Sequence, residues 1–358
     1  MTAGAGEKAT RRIPALDGVR AIAVIGVIAS HSGLVGLGWV GVDIFFGLSG
    51  YLITGILLDA KAATVSARDY FVPFYMRRVL RILPLAWAVL VLVCWMRGEW
   101  SGFWWYLGYL VNWLPHSPPP RDLGHYWSLA VEEQFYTFWP AVVYLASRTT
   151  LLRITIGLIV VDVACRFGVS LWPPEFATEQ FQGLATFARA DTLLVGALLA
   201  QRERNGGWGK NVTWALPVCI LAVMALIALR MMERQALLPI LTYNLKWPVI
   251  ALGVGAGLLV VLTKPPRMLQ WRWLVWIGKV SYGVYIIHAL FGRWLHEQFT
   301  LAQAPLIFVI QLGLTLPLAG LSWYLFESPI LKLKRLWPMS CERTDVRSPA
   351  NDTGRAGD

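Results

Sequence analysis

Long apolar runs alternate with short polar, aromatic or basic stretches along this chain, and the runs have the length of a bilayer crossing. A helix rising 1.5 Å per residue needs about 20 apolar residues to cross roughly 30 Å of hydrocarbon. Ten segments meet that description. The first five are Ile13–Val35, Trp39–Leu58, Val79–Met96, Tyr126–Ala146 and Leu151–Ser170. The second five are Leu184–Ala200, Val212–Leu229, Leu238–Leu262, Leu274–Gly292 and Ala304–Phe326. The aromatic stretch Phe103–Leu114 is too short to span and reads as an interfacial or re-entrant piece. Short alternating segments of barrel type are absent, and long apolar runs satisfy their backbone in lipid as helices. The predicted fold is therefore all-α: a polytopic membrane helix bundle of about ten transmembrane helices.

Composition agrees with that pattern. The hydrophobic fraction is 56% and the charged fraction 15%, against about 25% charged in an ordinary soluble domain. Mean hydropathy is +0.53, more than one or two spans would give. The net charge of +11 changes the picture through its placement. With the N-terminus inside, 22 Lys and Arg fall in cytoplasmic segments, five outside and five within spans. The positive-inside rule then makes both termini cytoplasmic and explains the charge without nucleic acid. The four cysteines have neither zinc-like spacing nor a disulfide framework. The N-terminus lacks a cleavable-signal pattern. Residues 1–12 read as a cytoplasmic segment, 13–336 as one membrane domain and 337–358 as a polar, disordered cytoplasmic tail. No repeat period of 20–50 residues and no stretch long enough for a second globular domain is present.

Ionisable side chains at membrane depth are costly and mark function by default. In the first span Arg20 and His31 are eleven residues apart, which leaves them about 20° from alignment and about 16 Å apart along the axis. Asp17 lies on nearly the same stripe. The plain alternative is that Arg20 snorkels and His31 caps the outer end. The fourth span carries Ser128, Glu132, Tyr136 and Pro140 at intervals of four, with Glu133 beside them. A carboxylate beside an imidazole holds its tautomer and raises its basicity, as a general base requires. Glu132 and Asp43 are the acids expected to orient His31; the competing view is that such acids only neutralise Arg189 or Arg166. Arg189, Asp191, Tyr285 and His288 are expected to reach the same outer layer, with Arg189 and Asp191 also readable as a structural ion pair. Asp162 and Arg166, at i and i+4, read as structural. At the inner face Arg77, Arg78 and Arg81 precede the third span, one turn apart in a spacing that clamps phosphate. Lys279 adds to them, unless all of these are ordinary positive-inside anchors.

Taken in order, these landmarks resemble the acyltransferase-3 family of membrane acyltransferases, of O-antigen and macrolide O-acyltransferase type. The resemblance runs from about Ile13 to Pro329. It is carried by Leu16-Asp17-Gly18-Val19-Arg20-Ala21 with His31, by Gly41 to Ile53 including Ser49 and Gly50, and by Arg78 with Arg81. Further blocks are Trp127 to Tyr136 with Pro140, Arg189-Ala190-Asp191 with Leu193, Leu194 and Gly196, Ser281 to Tyr285 with His288, and Glu327-Ser328-Pro329. Gly47 departs from the family, which more often has a larger apolar residue there.

The resemblance implies an O-acyltransferase of the bacterial cytoplasmic membrane. Its donor is a cytoplasmic acyl-coenzyme A, acetyl-CoA first, its acceptor a sugar hydroxyl, and no metal is expected. By the same resemblance Arg20, His31, Arg78, Arg81 and Glu327 are the positions that matter most. His31, Arg20, Glu132 and Asp43 form the expected catalytic set, and Arg77, Arg78, Arg81 and Lys279 the donor site. Ser128, Glu133, Tyr136, Arg189, Asp191, Tyr285 and His288 are expected to contact substrate, while Ser49, Gly50, Glu327 and Pro329 complete the motifs. Some relatives carry an extra soluble hydrolase-like domain, absent from this sequence, so its catalytic step is not expected. The rival readings are a transporter or flippase of lipid-linked sugars and a scaffold of an envelope complex. The acceptor's identity and the oligomeric state stay open.

Overall fold

The computed structural model describes residues 13–64, 66–114, 118–171, 184–208, 212–235 and 237–339. The expected N-terminal segment and nearly all of the expected tail lie outside these residues. The described part is all-α, with ten helices of 14 residues or more: α1 (Pro14–His31), α2 (Gly41–Ala63), α3 (Ala67–Arg97), α5 (Tyr126–Leu145), α6 (Arg148–Ser170), α7 (Asp191–Arg204), α8 (Ala215–Arg234), α9 (Pro239–Thr263), α10 (Arg272–Ile287) and α12 (Ala304–Ser322). Shorter helices are α4 (Phe103–Leu107), α11 (Ala289–Gln298) and α13 (Ser328–Lys332). Six helical segments are long and apolar enough to cross a bilayer, and α10 with α11 make a seventh when the pair, bent by 61°, is taken as one span.

Four of the expected spans differ from the observed helices. Helix α3 starts twelve residues before the expected Val79, because Ser66 caps it by accepting from the Asp69 amide at 3.4 Å. Arg77, Arg78 and Arg81 therefore sit inside a 31-residue helix rather than in a loop before it. Helix α7 begins at Asp191 instead of Leu184 and has only 14 residues, about 21 Å of rise. The segment before it turns through Thr186–Ala188, where the Thr186 hydroxyl donates to Gln134 Oε1 at 2.5 Å. The ninth expected span breaks at His288, and the tenth passes into a π-helical turn at Trp323–Glu327. Phe103–Leu114 forms α4 and a single 3-10 turn, too short to cross.

Helices approach without Cβ atoms between them, as expected where lipid supplies little hydrophobic drive for helix pairing. Helix α2 packs along α7, and α1 along α10. At Gly50 a Cβ would stand 1.8 Å from the Leu193 carbonyl oxygen, and at Gly278 1.8 Å from that of Asp17. Gly47, the departure from the family, has the same cause: a Cβ there would meet the Val254 side chain at 2.6 Å.

Buried charges close on one another in the α2–α6–α7 region. Arg189 donates to Asp43 at 2.8 Å and lies 3.8 Å above the Trp247 ring. Arg166, fully buried, bonds Asp162 one turn earlier and Asp191 at 2.9 Å. The i, i+4 pairing agrees with the sequence expectation; the Arg189–Asp191 pair does not form, since each has a different partner.

Three outcomes follow from this packing. Gly50→Leu should abolish a monodisperse peak after detergent extraction. Gly157→Ala, where nothing lies within 4 Å, should extract normally and raise the thermal midpoint slightly, since alanine gains about 0.5–1 kcal/mol over glycine in a helix. Arg189→Met should cost about 3–5 kcal/mol by stranding Asp43, and adding Asp43→Leu should recover most of it; thermal unfolding in detergent checks both.

Candidate active site

Helix α1 connects two cavities. The eleven-residue spacing puts Arg20 in the wall of one and His31 in the wall of the other. The first cavity, about 460 Å3, is lined by six cations: Arg20 from α1, Arg77, Arg78 and Arg81 from α3, Lys279 from α10, and Lys334. Only two carboxylates, Asp17 and Glu132, line it as well. That excess of positive charge suits a polyanion.

The arginines are positioned rather than loosely anchored. Arg20 donates to Asp17 at 3.1 Å, one turn back on α1. Arg81 meets Glu327 at 3.4 Å, and its guanidinium lies 5.4 Å from the Tyr282 ring and 5.3 Å from that of Trp323. Glu327 is delivered by the π-helical turn and receives the Ser322 hydroxyl at 3.3 Å. Pro329 then opens α13 in its first turn. Lys279 sits 5.0 Å over the same Trp323 ring. The Nε of Arg78 is buried with no hydrogen-bond partner among the described residues, a donor ready for an anion.

Hydroxyls line the cavity's uncharged side. Ser49 donates to Glu132 Oε1 at 2.5 Å, and Tyr136 is beside them in the wall. Ser128 Oγ and Tyr285 Oη are 2.6 Å apart, and Ser128 also donates to the His125 carbonyl at 3.0 Å. Behind this pair stand His125, His288 and His31. The His125 ring centroid is 5.5 Å from that of Tyr285 and 5.2 Å from that of His288. His288 Nε2 lies 2.7 Å from His31 Nδ1.

The second cavity, about 280 Å3, opens beyond this layer and is lined by His31, Asp122, Arg293, His296 and Gln311 among others. Arg97 holds Asp122 through two bonds of 3.0 and 3.2 Å, and Arg293 approaches it at 3.6 Å. His296 Nε2 contacts the His31 carbonyl at 2.8 Å.

Several expectations are corrected by this geometry. Neither Glu132 nor Asp43 bonds the His31 ring: Glu132 is committed to Ser49 and Asp43 to Arg189, and an imidazole occupies the expected carboxylate's place. Arg189 and Asp191 line neither cavity; they serve the buried ion pairs. Glu133 points away from Glu132, as adjacent helical residues differ by about 100°, and lines neither cavity. No residue lines both cavities: Ser128 and Tyr285 belong to the cationic one and His31 to the outer one.

Residues not singled out in the sequence also enter the site: His125, Asp122, Arg293, His296 and Gln311. One signal was available. The chain has five histidines, and four converge at one end of the bundle, His116 lying outside the described residues. No set of three His, Cys, Asp or Glu among the described residues is placed to hold a metal; the imidazoles engage one another instead.

Comparison with known proteins matches residues 13–324 to the Acyl_transf_3 model, described as an acyltransferase domain. The "Putative peptidoglycan O-acetyltransferase YrhL" of Bacillus subtilis is 31% identical over 312 residues, covering 78% of this chain and 48% of the relative. Peptidoglycan O-acetyltransferase OatA of Listeria monocytogenes is 29% identical over 362 residues, covering 89% of this chain and 56% of the relative. The chain thus spans about half the length of these relatives. No solved structure matches it. The family match over residues 13–324 shows that this chain belongs to the acyltransferase-3 family.

Proposed function

We propose that this chain is a membrane O-acyltransferase that moves an acyl group, acetyl first, from cytoplasmic acyl-CoA to a hydroxyl of a glycan. The observation that carries it is the pairing, on one helix, of Arg20 in a six-cation cavity with His31 in a second, histidine-lined cavity. The excess of Lys and Arg in the same set of loops supports a cytoplasmic position for the cationic end, at a bacterial cytoplasmic membrane. The relatives' names favour a cell-wall glycan as acceptor.

In this reading Arg78, Arg81, Arg77, Arg20 and Lys279 hold the donor's phosphates, with Glu327 keeping Arg81 in place. The slender thioester arm extends along Glu132 and Tyr136 toward Ser128 and Tyr285, whose hydroxyls part to admit it. The acceptor occupies the outer cavity against His31, within reach of Asp122 and Arg293. His31 takes the hydroxyl proton as the oxygen attacks the thioester carbonyl. The carbon–sulfur bond then breaks, and the departing thiolate receives the proton from the imidazolium. Ser128 and Tyr285 supply O–H donors to the carbonyl oxygen as it gains charge.

Two cavities divided by a thin layer also fit a transporter with alternating access. Thioester chemistry separates the readings. Purified protein given acetyl-CoA and a muropeptide or glycan acceptor should release free CoA, and a transporter should not. His31→Ala should lower turnover by about 100-fold or more, and Arg20→Ala should also reduce it. Arg78→Gln should raise the donor KM by about tenfold or more, the worth of a charge-assisted hydrogen bond, with a smaller change in kcat. Full turnover in the His31 and Arg20 variants would sink the assignment. Mass spectrometry of wall glycans from cells with and without the gene identifies the acceptor.

A further inference from the structure

The layer between the cavities contains a chain of hydrogen bonds with a fixed direction. His288 stands at the bend between α10 and α11 and is fully buried. Its Nδ1 is 2.6 Å from the Tyr285 carbonyl oxygen. A carbonyl oxygen only accepts, so this nitrogen carries the hydrogen. The Nε2 of neutral His288 is then a lone pair, and it faces His31 Nδ1 at 2.7 Å. His31 must donate there. Its own Nε2 is left unprotonated, on a ring that lines the outer cavity.

The ring geometry supports such a bond. The centroids are 4.9 Å apart and the planes differ by 12°. With a nitrogen–nitrogen contact of 2.7 Å, the rings lie edge to edge and nearly coplanar, the alignment an in-plane N–H···N bond requires. The His288 backbone is also pinned: its amide bonds the Val284 carbonyl at 3.0 Å, and its carbonyl receives Gln311 Nε2 at 3.1 Å. A doubly protonated His288 would set a buried cation against His125 and His31, with no carboxylate bonded to its ring among the described residues, a costly arrangement.

We propose that His288 is a positioning residue for acyl transfer. It holds His31 in the Nδ1–H tautomer, the one free histidine populates less in water, and so leaves His31 Nε2 as the basic nitrogen for the acceptor hydroxyl. A neutral imidazole fixes the tautomer that a carboxylate fixes in other acid–base pairs. It adds no negative charge to the site. When His31 takes the acceptor proton, the His288 lone pair still receives the Nδ1 hydrogen, so the bond survives the transfer. The proposal rests on the acyl-transfer reading for its kinetic part only.

The full chain, in lipid nanodiscs with 15N-labelled histidine, provides the first test, using His31→Gln to assign the signal. Ring nitrogen shifts should show His31 as Nδ1–H in the unsubstituted protein. Finding it Nε2–H there would overturn the proposal, whatever the activity and without any variant of His288. The second test is thioester turnover. His288→Ala should lower kcat on the order of 100-fold with the donor KM unchanged. His288→Gln, whose Oε1 can accept the Nδ1 hydrogen, should recover about two- to thirteenfold of that loss, the worth of one neutral hydrogen bond. An alanine variant with normal kcat, or a folded glutamine variant as slow as alanine, would also overturn it. Absence of turnover in the unsubstituted protein would count against the acyl-transfer reading, while the nitrogen shifts would still decide the tautomer.

Discussion

Hydrocarbon offers no partner to a charge or a polar hydrogen, so each such group at membrane depth has to be matched within the bundle. That constraint sorts the polar residues of this chain into two populations. Arg166 with Asp162 and Asp191, Arg189 with Asp43 and Trp247, and Lys246 with Glu233 close on one another. Arg20, Arg77, Arg78, Arg81 and Lys279 also line a cavity, where an anionic ligand can add to the matching that Asp17 gives Arg20 and Glu327 gives Arg81. The first population holds helices together, and the second gives the bundle something to bind. Glycine contacts join the two: the approach of α1 to α10 at Gly278 brings the Asp17–Arg20 turn next to Lys279.

Much of the fold was legible because it depends on runs and local spacing. Each of the ten expected spans overlaps one of the ten long helices, of which six, or seven with the bent pair, are long and apolar enough to cross a bilayer, and Arg20 and His31 fall in the walls of two cavities on one helix. Hydropathy misjudged α3, since its arginine-rich first turns read as loop; a serine cap and a cavity to face make them helical. It also misjudged α7, whose start is fixed by side-chain bonds from Thr186 to Gln134 and Asn112, contacts remote in sequence.

The site was legible in its depths but not in its azimuths. Counting residues from a span's end placed Asp43, Glu132, Arg189 and His288 near the same layer as His31. It could not say which of them turn toward one another. The ring contact of His31 comes from a residue 257 positions away, and the carboxylate bonded to Arg189 from 146 positions away. Charge complementarity therefore pointed to a carboxylate beside His31, where the fold supplies an imidazole. His125 was missed because its role is packing within the histidine layer, which no helical period announces.

The interruption between the cavities follows from the same matching constraint. An apolar plug would have to be displaced by the donor arm at the full cost of its packing. Tyr285 and Ser128 share one hydrogen bond of 2.6 Å, and the Ser128 hydroxyl gives its own hydrogen to the His125 carbonyl at 3.0 Å; a neutral hydrogen bond contributes only about 0.5–1.5 kcal/mol net. A thioester carbonyl arriving between them offers an acceptor to both hydroxyls, so their exchange of partners replaces most of what is lost. In the proposed acyl transfer the same two O–H groups face the oxygen on which negative charge develops during attack by an acceptor held at His31. A seal made of donors can thus shut the layer when the site is empty and serve the reaction when it is filled, which a hydrocarbon seal cannot do.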